Sequence, residues 1–211
     1  MTTFFTSVAR GGLIPILALF IASAASAQTI TSAESSAPQP SQALAPGAVA
    51  DALRRGGYMI YFRHTATDFS KGDAGMKNYD DCANQRLVSP QGRSEAADIG
   101  RNMARLQLPV GEVLVSPFCR TLDTARLMMG RATPRAEMRE SEGADYPGLK
   151  QLLAAPVAAG TNRWLVGHGI PFRAVAGAPH LAEGEAAVIR PGGTDWPVVA
   201  RVMPKDWAQL K

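Results

Sequence analysis

The sequence has few of the residues on which zinc-binding arrays, disulfide scaffolds and nucleic-acid-binding surfaces depend. Its 211 residues include two Cys and three His, too few for a zinc-finger array or a disulfide-dense domain. The net charge is only +4, and no run of Lys or Arg is longer than the pair Arg54–Arg55. This is not the charge pattern of a nucleic-acid-binding protein. A hydrophobic content of 46% with 19% charged residues is instead typical of a globular domain.

The first 27 residues are typical of a secretory signal peptide. One Arg and no acidic residue precede the apolar segment 11–22, and Ala25-Ser26-Ala27 supplies the small residues that a signal peptidase needs. The apolar segment is shorter than the roughly 20 residues that span a bilayer, so the pattern favours a cleaved signal over a membrane anchor. We therefore expect cleavage after Ala27, export to the periplasm or the medium, and no stable membrane insertion afterwards.

A linker is predicted to separate this leader from one folded domain. Residues 28–46 are rich in Ser, Ala, Pro and Gln, a composition that cannot bury a core and is typical of a flexible segment. The folded domain is predicted over residues 47–211.

Short apolar segments alternate with helical patterns in this domain, which indicates an α/β fold with a mostly parallel sheet. Strands are predicted where apolar, β-favouring residues are bounded by turn residues, at 58–62, 112–115, 163–166, 186–189 and 198–202. Helices are predicted at 48–55, 121–129, 147–154 and 171–176, with one more that begins at Ser89-Pro90. The polar segment 65–81 is predicted to be a long loop.

The spacing of apolar residues predicts the inward faces of two helices. In the helix after Ser89-Pro90 these residues are Ala96, Ile99, Met103 and Leu106. In the helix predicted at 121–129 they are Leu122, Ala125 and Met129.

Three predicted strands are followed by residues that can bind or attack a phosphoryl group. Arg63 and His64 follow the first, Ser116 and then Arg120 follow the second, and His168 follows the third. Ligands in open α/β sheets bind beyond the carboxyl ends of strands, so we expect these side chains to meet there. A neutral imidazole can attack phosphorus, and the planar guanidinium fork of Arg binds phosphate oxygens. The pattern therefore indicates phosphoryl transfer.

The same segments resemble the histidine phosphatase superfamily in its phosphoglycerate-mutase-like branch. The resemblance rests on Arg63-His64 after an apolar strand, on residues 116–121 (SPFCRT) followed by Thr124-Ala125, and on residues 166–169 (VGHG). It extends over residues 48–211. It implies a three-layer αβα sandwich and a phosphohistidine mechanism that needs no metal and no other cofactor.

The resemblance also implies roles for four residues by their positions. His64 corresponds to the nucleophile, Arg63 and Arg120 to the phosphate ligands, and His168 to the second histidine of the phosphate pocket. One position departs from the family pattern, because Thr65 stands where a Gly is usual. A β-branched residue is costly there if the backbone needs a positive φ. Alternatively, the Thr65 hydroxyl donates to the phosphate as a substrate ligand.

A general acid is implied between Arg120 and His168. Glu137, Glu140, Glu142 and Asp145 are candidates in that interval. Met138-Arg139-Glu140 is most similar to the family's hydrophobic-x-Glu segment, so Glu140 is favoured and Glu142 comes second. A solvated loop carboxylate is the alternative for each of them. Candidates outside the interval are Asp68, Glu183 and Glu185.

Cys82 and Cys119 are 37 residues apart, and an exported chain permits a disulfide between them. Such a bridge would hold Arg120, the next residue, in place, while two separate thiols are the alternative. A cysteine nucleophile is not favoured, because the Cys-x5-Arg phosphate loop is missing. Lys77 and Tyr79 are candidate substrate contacts, and His180 is predicted to lie in a surface loop.

These observations favour an exported, metal-independent phosphomonoesterase that acts on a small phosphorylated substrate, such as an envelope sugar phosphate. A phosphomutase is the alternative among enzymes. A catalytically weak protein that binds phosphate or an envelope partner is the alternative from another class, because Thr65 and the unassigned acid leave it open.

Overall fold

A six-stranded sheet forms the centre of the protein, whose computed structural model describes residues 43–141, 145–192 and 196–211. The strands are β1 (Met59–Arg63), β2 (Val110–Val115), β3 (Thr133–Pro134), β4 (Asn162–Gly167), β5 (Ala186–Ile189) and β6 (Val198–Val202). Their order across the sheet is β3-β2-β4-β1-β5-β6. The first four are parallel, and β5 and β6 pair antiparallel at one side. The prediction of a mostly parallel sheet is confirmed.

Five α-helices and four short 3-10 helices accompany the sheet in the described part of the chain. The α-helices are α1 (Val49–Arg55), α2 (Pro90–Arg105), α3 (Cys119–Met129), α4 (Pro147–Ala154) and α5 (Gly169–Ala176). The 3-10 helices are Pro46–Ala48, Cys82–Asn84, Ala136–Met138 and Pro204–Gln209. None of these described helices combines the length and the apolar character that crossing a membrane requires.

The side chains of β1 point alternately to the two faces of the sheet, which explains why helices cover both faces. Ile60 and Phe62 pack into a buried cluster with residues of α1, α2 and α3. Met59 and Tyr61 pack into a second cluster with residues of α4 and α5. Successive side chains of a strand point to opposite faces, so a strand that is apolar throughout needs a helical layer on each side. The three-layer αβα sandwich is confirmed.

The structure differs from the prediction in the bounds of some helices and strands and in the extent of one buried helix face. The inward face predicted for α2 is buried as expected. On α3, which already begins at Cys119, Met128 is buried while Leu122 and Met129 are only partly so. Ala125 is buried as predicted, and Leu122 and Met129 pack against the core, so the predicted face is confirmed. It extends further than predicted because the polar residues Thr121 and Thr124 share it. The strand β3 was missed because two residues that include a Pro show no periodicity.

The described chain begins shortly before the predicted domain boundary at Gly47. The Leu44 N–H donates to the Val199 carbonyl of β6 over 2.7 Å, and the Leu44 side chain packs against the core. The predicted leader (residues 1–27) and most of the predicted linker lie outside the described residues.

The register of the parallel strands brings three chain segments together at one edge of the sheet. Arg63 of β1 lies beside Gly167 of β4, and Val115 of β2 lies beside Val166. The hydrogen bonds continue past the strand ends, since the His64 N–H donates to the Gly167 carbonyl over 3.0 Å. The residues that follow β1, β2 and β4 are therefore neighbours.

The segment after β1 packs against the start of α2. Ser89 caps this helix by accepting the Gly92 N–H over 3.1 Å, as the sequence predicted, and the Ser89 N–H donates to the Ala66 carbonyl. A Cβ atom added at Gly92 would lie 2.0 Å from the Ala66 carbonyl oxygen. Gly92 is required because the two backbones approach so closely.

Asn162 joins three parts of the fold through one buried amide, so we expect Asn162→Ala to destabilise the protein. Its Nδ2 donates to the Leu53 carbonyl over 2.7 Å, and its Oδ1 accepts the Tyr58 N–H over 3.1 Å. Loss of these partners is expected to lower the free energy of unfolding by about 1–3 kcal/mol in urea titrations. Asn102→Ala is the control, because Asn102 bonds only within α2. Equal effects of the two substitutions would contradict the assignment.

Candidate active site

His64 is buried directly after β1 and presents a neutral imidazole nitrogen. Its side chain Nδ1 lies 3.0 Å from the Thr65 carbonyl oxygen, and the residue is 1% exposed. A carbonyl oxygen only accepts hydrogen bonds, so Nδ1 carries the ring hydrogen and Nε2 keeps its lone pair. His64 therefore offers the nitrogen that a nucleophilic attack on phosphorus needs.

Burial and nearby positive charge keep both site histidines uncharged. Burial lowers the pKa of His64 to about 3, and the charges of Arg120, Arg63 and Arg86 act in the same direction. Burial also lowers the pKa of His168 well below its usual value, with the same arginines contributing. At neutral pH neither ring carries a proton that would block its lone pair.

His168 faces His64 from the end of β4. The two ring centroids are 5.6 Å apart, and the Phe118 ring lies 5.0 Å from that of His168. The Ser116 hydroxyl lies 2.8 Å from Nε2 of His168. A carboxylate oxygen of Glu140 lies 3.5 Å from the other ring nitrogen, Nδ1, which favours the tautomer with the hydrogen on Nδ1 and the Ser116 hydroxyl donating to Nε2.

Tyr61 fixes the backbone of His168. Its hydroxyl donates to the His168 carbonyl over 3.0 Å and accepts the His168 N–H over 3.1 Å. Burial raises the pKa of Tyr61 above its usual value, so the phenol keeps the proton that it donates. The sequence gave no signal for this role, because a Tyr in an apolar strand is typical of a core residue.

Three arginines surround the two histidines. Arg120 lies at the start of α3 and is 1% exposed, and Arg63 follows the last apolar residue of β1. Arg86, which the sequence analysis missed, contributes positive charge at both histidines. It belongs to an irregular segment where no periodicity distinguishes a site residue from a surface residue. The predicted pair of arginines is therefore part of a cluster of three.

Acidic side chains already contact Arg120. Its Nη1 donates to both carboxylate oxygens of Asp73, over 3.1 and 3.0 Å, and its Nη2 donates to Glu140 over 3.3 Å. Asp73 also accepts the Arg86 N–H over 2.9 Å. Asp73 lies in the predicted loop 65–81, and the sequence analysis did not identify it.

Three buried donors of the site have no hydrogen-bond partner. Among the described residues, the buried side-chain N and O atoms without a partner are Arg63 Nε, Arg120 Nε, His168 Nδ1, Trp196 Nε1 and Trp207 Nε1. The first three belong to this one cluster. Buried donors are usually paired, and leaving one unpaired costs about 1–3 kcal/mol. The arrangement fits an anion with several acceptor oxygens.

Glu140 is the predicted acid that reaches the cluster. One oxygen of its carboxylate lies 3.3 Å from Arg120 Nη2 and 3.5 Å from His168 Nδ1. Its side chain is 26% exposed, so protons can reach it from the solvent. The structure thus places Glu140 next to the histidine pair, and its role as the general acid stays a prediction.

The other predicted carboxylates lie elsewhere or outside the described residues. Glu137 pairs with Arg135, and Asp145 pairs with Lys150. Glu142 lies outside the described residues. Two of the candidates from outside the interval also have other partners: Asp68 is exposed and bonds to the Ser70 N–H, and Glu185 pairs with Arg201. Glu183 differs from these, since it lies within 4 Å of His64.

Thr65 adopts no positive φ, so the strain considered for this position does not arise. Its N–H and its hydroxyl both contact Thr124 Oγ1, at 3.3 and 3.1 Å. Thr124 donates its own proton to the Arg120 carbonyl, so the Thr65 hydroxyl is the donor in this pair. Thr65 therefore ties the backbone next to His64 to α3, and its expected bond to a substrate stays a prediction.

The disulfide that the sequence permitted is present between Cys82 and Cys119. It joins the segment that carries Asp73 and Arg86 to the first residue of α3. Gln85 supports the same junction, since its side chain accepts the Cys119 N–H over 2.9 Å and donates to the Tyr79 carbonyl. Arg120, the next residue, is held between this junction and the helix.

A cavity of about 520 Å³ opens beside Glu140, and the residues that line it include Tyr79, Arg139 and Tyr146. The predicted contact Tyr79 therefore borders the site, whereas Lys77 is exposed.

His180 is exposed, as predicted, but its ring packs so close to Gly169 that an added Cβ would lie 2.1 Å from His180 Nε2.

The described ranges contain no group of three or more His, Cys, Asp or Glu side chains that is suited to hold a metal ion. The fixed positive charge of the site comes from its three arginines.

The lowered pKa values predict that both site histidines stay neutral between about pH 5 and 8. In ¹⁵N NMR spectra, His64 should show a protonated Nδ1 and an unprotonated Nε2 throughout. Since the folded pKa of His64 is about 3 and the unfolded value is near 6.5, stability should be complete above pH 6.5 and decrease as the pH falls towards 3. A titration of either ring near pH 6.5 would contradict this. His180→Ala removes the third histidine signal and assigns the spectrum.

We expect the double substitution of Cys82 and Cys119 by Ser to weaken both stability and anion binding. Opening a disulfide loop of this length typically lowers the free energy of unfolding by about 2–4 kcal/mol, measurable by urea titration. Phosphate affinity should also decrease, because Arg120 loses its covalent anchor. Thiol titration of the unfolded, unreduced wild type should find no reactive thiol, and two reactive thiols would refute the disulfide.

No protein-family model matches the chain, and no curated protein matches it in sequence. Solved structures do match. SixA from Agrobacterium tumefaciens aligns with a TM-score of 0.51 and 16% identity, covering 71% of this chain and 99% of that one. The protein histidine phosphatase SixA, solved in complex with tungstate, aligns with a TM-score of 0.51 and 17% identity over 71% of this chain and 98% of its own. The protein has the phosphoglycerate-mutase-like fold of the histidine phosphatases.

Proposed function

We propose that the protein is an exported, metal-independent phosphomonoesterase that works through a phosphohistidine on His64. The observation that carries this proposal is the group of buried, unpartnered donors on Arg63, Arg120 and His168 beside the neutral imidazole of His64. A phosphoryl group has three equatorial oxygens that need such donors, and the neutral ring supplies the nucleophile.

In the first step, Nε2 of His64 attacks phosphorus while the bond from phosphorus to the ester oxygen breaks. Protonated Glu140 donates its proton to that oxygen, so the leaving group departs as an alcohol. His64 keeps its Nδ1 hydrogen, which the Thr65 carbonyl accepts. The donors on Arg63, Arg120 and His168 bind the phosphoryl oxygens throughout.

In the second step, water attacks the phosphorus atom and the bond between Nε2 and phosphorus breaks. The carboxylate of Glu140 takes a proton from this water, which restores the acid for the next cycle. The products are inorganic phosphate and the starting form of His64. Each step is an in-line displacement in which the protein contributes position and charge.

The surroundings of the site support a small substrate. The cavity beside Glu140 has room for the alcohol part of a phosphomonoester, and Tyr79 and Arg139 line it. A sugar phosphate of the cell envelope fits the proposed location. Export is supported by the predicted signal peptide and by the disulfide, which suits an oxidising compartment. The tungstate complex of the protein histidine phosphatase SixA shows that a similar fold accepts a tetrahedral oxyanion.

The contacts of Arg120 favour a second candidate function. Asp73 and Glu140 occupy both terminal nitrogens of Arg120, and a site whose acid stays paired in this way would bind phosphate without turning over an ester. This candidate is a phosphate-binding protein of the envelope. It keeps the same pocket and differs only in the absence of catalysis.

One set of assays separates the two candidates. The chain from residue 28 onward is given a panel of phosphomonoesters in the presence of a metal chelator, beside His64→Ala. We expect turnover that disappears in the variant, because it lacks the proposed nucleophile, and an acid-labile, base-stable phosphoryl adduct on His64 of the wild type. His180→Ala should still form the adduct. Phosphate binding without turnover would support the binding protein instead.

Glu140→Gln tests the acid within the same panel. A rate loss confined to substrates with poor leaving groups is expected, since good leaving groups depart without a proton. An equal loss for all substrates would count against Glu140 as the acid.

A further inference from the structure

Glu183 places a fixed negative charge behind His64, on the side away from the attacking nitrogen. One oxygen of its carboxylate lies 3.8 Å from His64 Nδ1, 3.6 Å from Arg63 Nη2 and 3.8 Å from Arg86 Nη1. The side chain is 19% exposed, so it is partly shielded from solvent. A single carboxylate therefore contacts the candidate nucleophile and two of the three site arginines.

The carboxylate is held by bonds to both of its oxygens. Thr67 donates its hydroxyl to Oε1 over 2.7 Å and its N–H to Oε2 over 3.2 Å. The backbone on the C-terminal side of Glu183 is tied to the nucleophile as well. The Gly184 N–H donates to the His64 carbonyl over 2.8 Å, and the Arg63 N–H donates to the Glu185 carbonyl over 3.1 Å. Glu183 cannot move far without moving His64.

The position of Glu183 excludes it as the acid for the leaving group. It faces Nδ1, whereas a phosphoryl group on His64 is bound to Nε2. Its two oxygens already accept hydrogen bonds from Thr67, and one of them also lies within 4 Å of Arg63 and Arg86. Glu140 lies instead beside Arg120 and His168.

The charge balance of the reaction gives Glu183 a different task. When Nε2 forms its bond to phosphorus, Nδ1 keeps its hydrogen, so the imidazole ring becomes cationic. Burial opposes that positive charge most, and Arg120, Arg63 and Arg86 add like-charge repulsion, since both effects lower the pKa of His64. Within the described part of the chain, Glu183 is the carboxylate paired with His64, and Asp73 and Glu140 are paired with other groups.

We infer that Glu183 is a positioning residue that stabilises the cationic, phosphorylated form of His64. The inference rests on the proposed phosphohistidine mechanism. Glu183 acts through His64 and touches no reacting atom.

Glu183→Gln tests the charge with little change in shape. In rapid-quench experiments with p-nitrophenyl phosphate, we expect phosphorylation of His64 to slow by about 10- to 100-fold, the effect of one opposite charge within about 4–6 Å. Inhibition by tungstate should be unchanged or stronger, because the site has lost a negative charge. A merely structural role would weaken tungstate binding together with the rate.

Three further variants separate the effect of the charge of Glu183 from the effects of its anchoring and of the chemical change itself. Glu183→Asp keeps the charge and should recover part of the phosphorylation rate. Thr67→Val removes one anchor and should slow phosphorylation less than Glu183→Gln does. Glu112→Gln makes the same chemical change at the pair with Arg163, outside the site, and should leave the rate unchanged.

The outcomes distinguish this inference from the proposed function. Wild-type phosphorylation with an unchanged rate in a folded Glu183→Gln protein would overturn the inference alone. A parallel loss of rate and tungstate affinity would overturn it in favour of a structural role. A wild type that forms no His64 adduct would refute the proposed function, and this inference would fall with it.

Discussion

Two uncharged imidazoles share one buried edge of the sheet with three guanidinium groups, and this concentration of positive charge governs the rest of the site. Burial has the larger effect, and this charge adds to it in keeping His64 and His168 neutral, which preserves the lone pair of the candidate nucleophile. The charge also opposes folding, because burying charge is costly unless each group has a partner. The protein meets this constraint with three carboxylates from separate segments of the chain. Asp73 and Glu140 contact Arg120, and Glu183 lies between His64, Arg63 and Arg86.

The fold holds these groups by two different means. The histidines are fixed by the sheet, since hydrogen bonds between adjacent parallel strands continue into His64 and Ser116, and Tyr61 secures the backbone of His168. The acidic partners come from irregular segments, which need other restraints. The disulfide and the side chain of Gln85 connect one of those segments to the start of α3. The edge of the sheet thus positions the candidate nucleophile. The irregular segment that the disulfide links to α3 supplies part of the surrounding charge.

The sequence was sufficient to predict those parts of the protein that have periodic apolar patterns or known capping residues. The apolar strands, the Ser89 cap and the order of strand ends predicted the layers of the fold and the meeting of His64, Arg120 and His168. It was insufficient where a polar residue acts through its neighbours. Asp73 and Arg86 lie in a segment without periodicity, so nothing in the local pattern separates them from surface residues. Glu183 was considered as an acid, yet only the structure shows that it faces Nδ1 of the ring. Proximity in sequence was also a poor guide to the acid. Glu137 and Asp145 are close to Glu140 in sequence but pair with Arg135 and Lys150.

The contact between Asp73 and Arg120 has a consequence for the release of phosphate in the proposed reaction. Because the guanidinium group already has an ionic partner, the binding free energy of an arriving phosphate is only the difference between two similar ion pairs. When phosphate leaves, Asp73 can pair with Arg120 again. In the proposed reaction, such an exchange would limit the affinity of the resting site for inorganic phosphate. A site with three uncompensated arginines would hold its product tightly and turn over slowly. In the proposed reaction, Asp73 would therefore ease the departure of phosphate from Arg120.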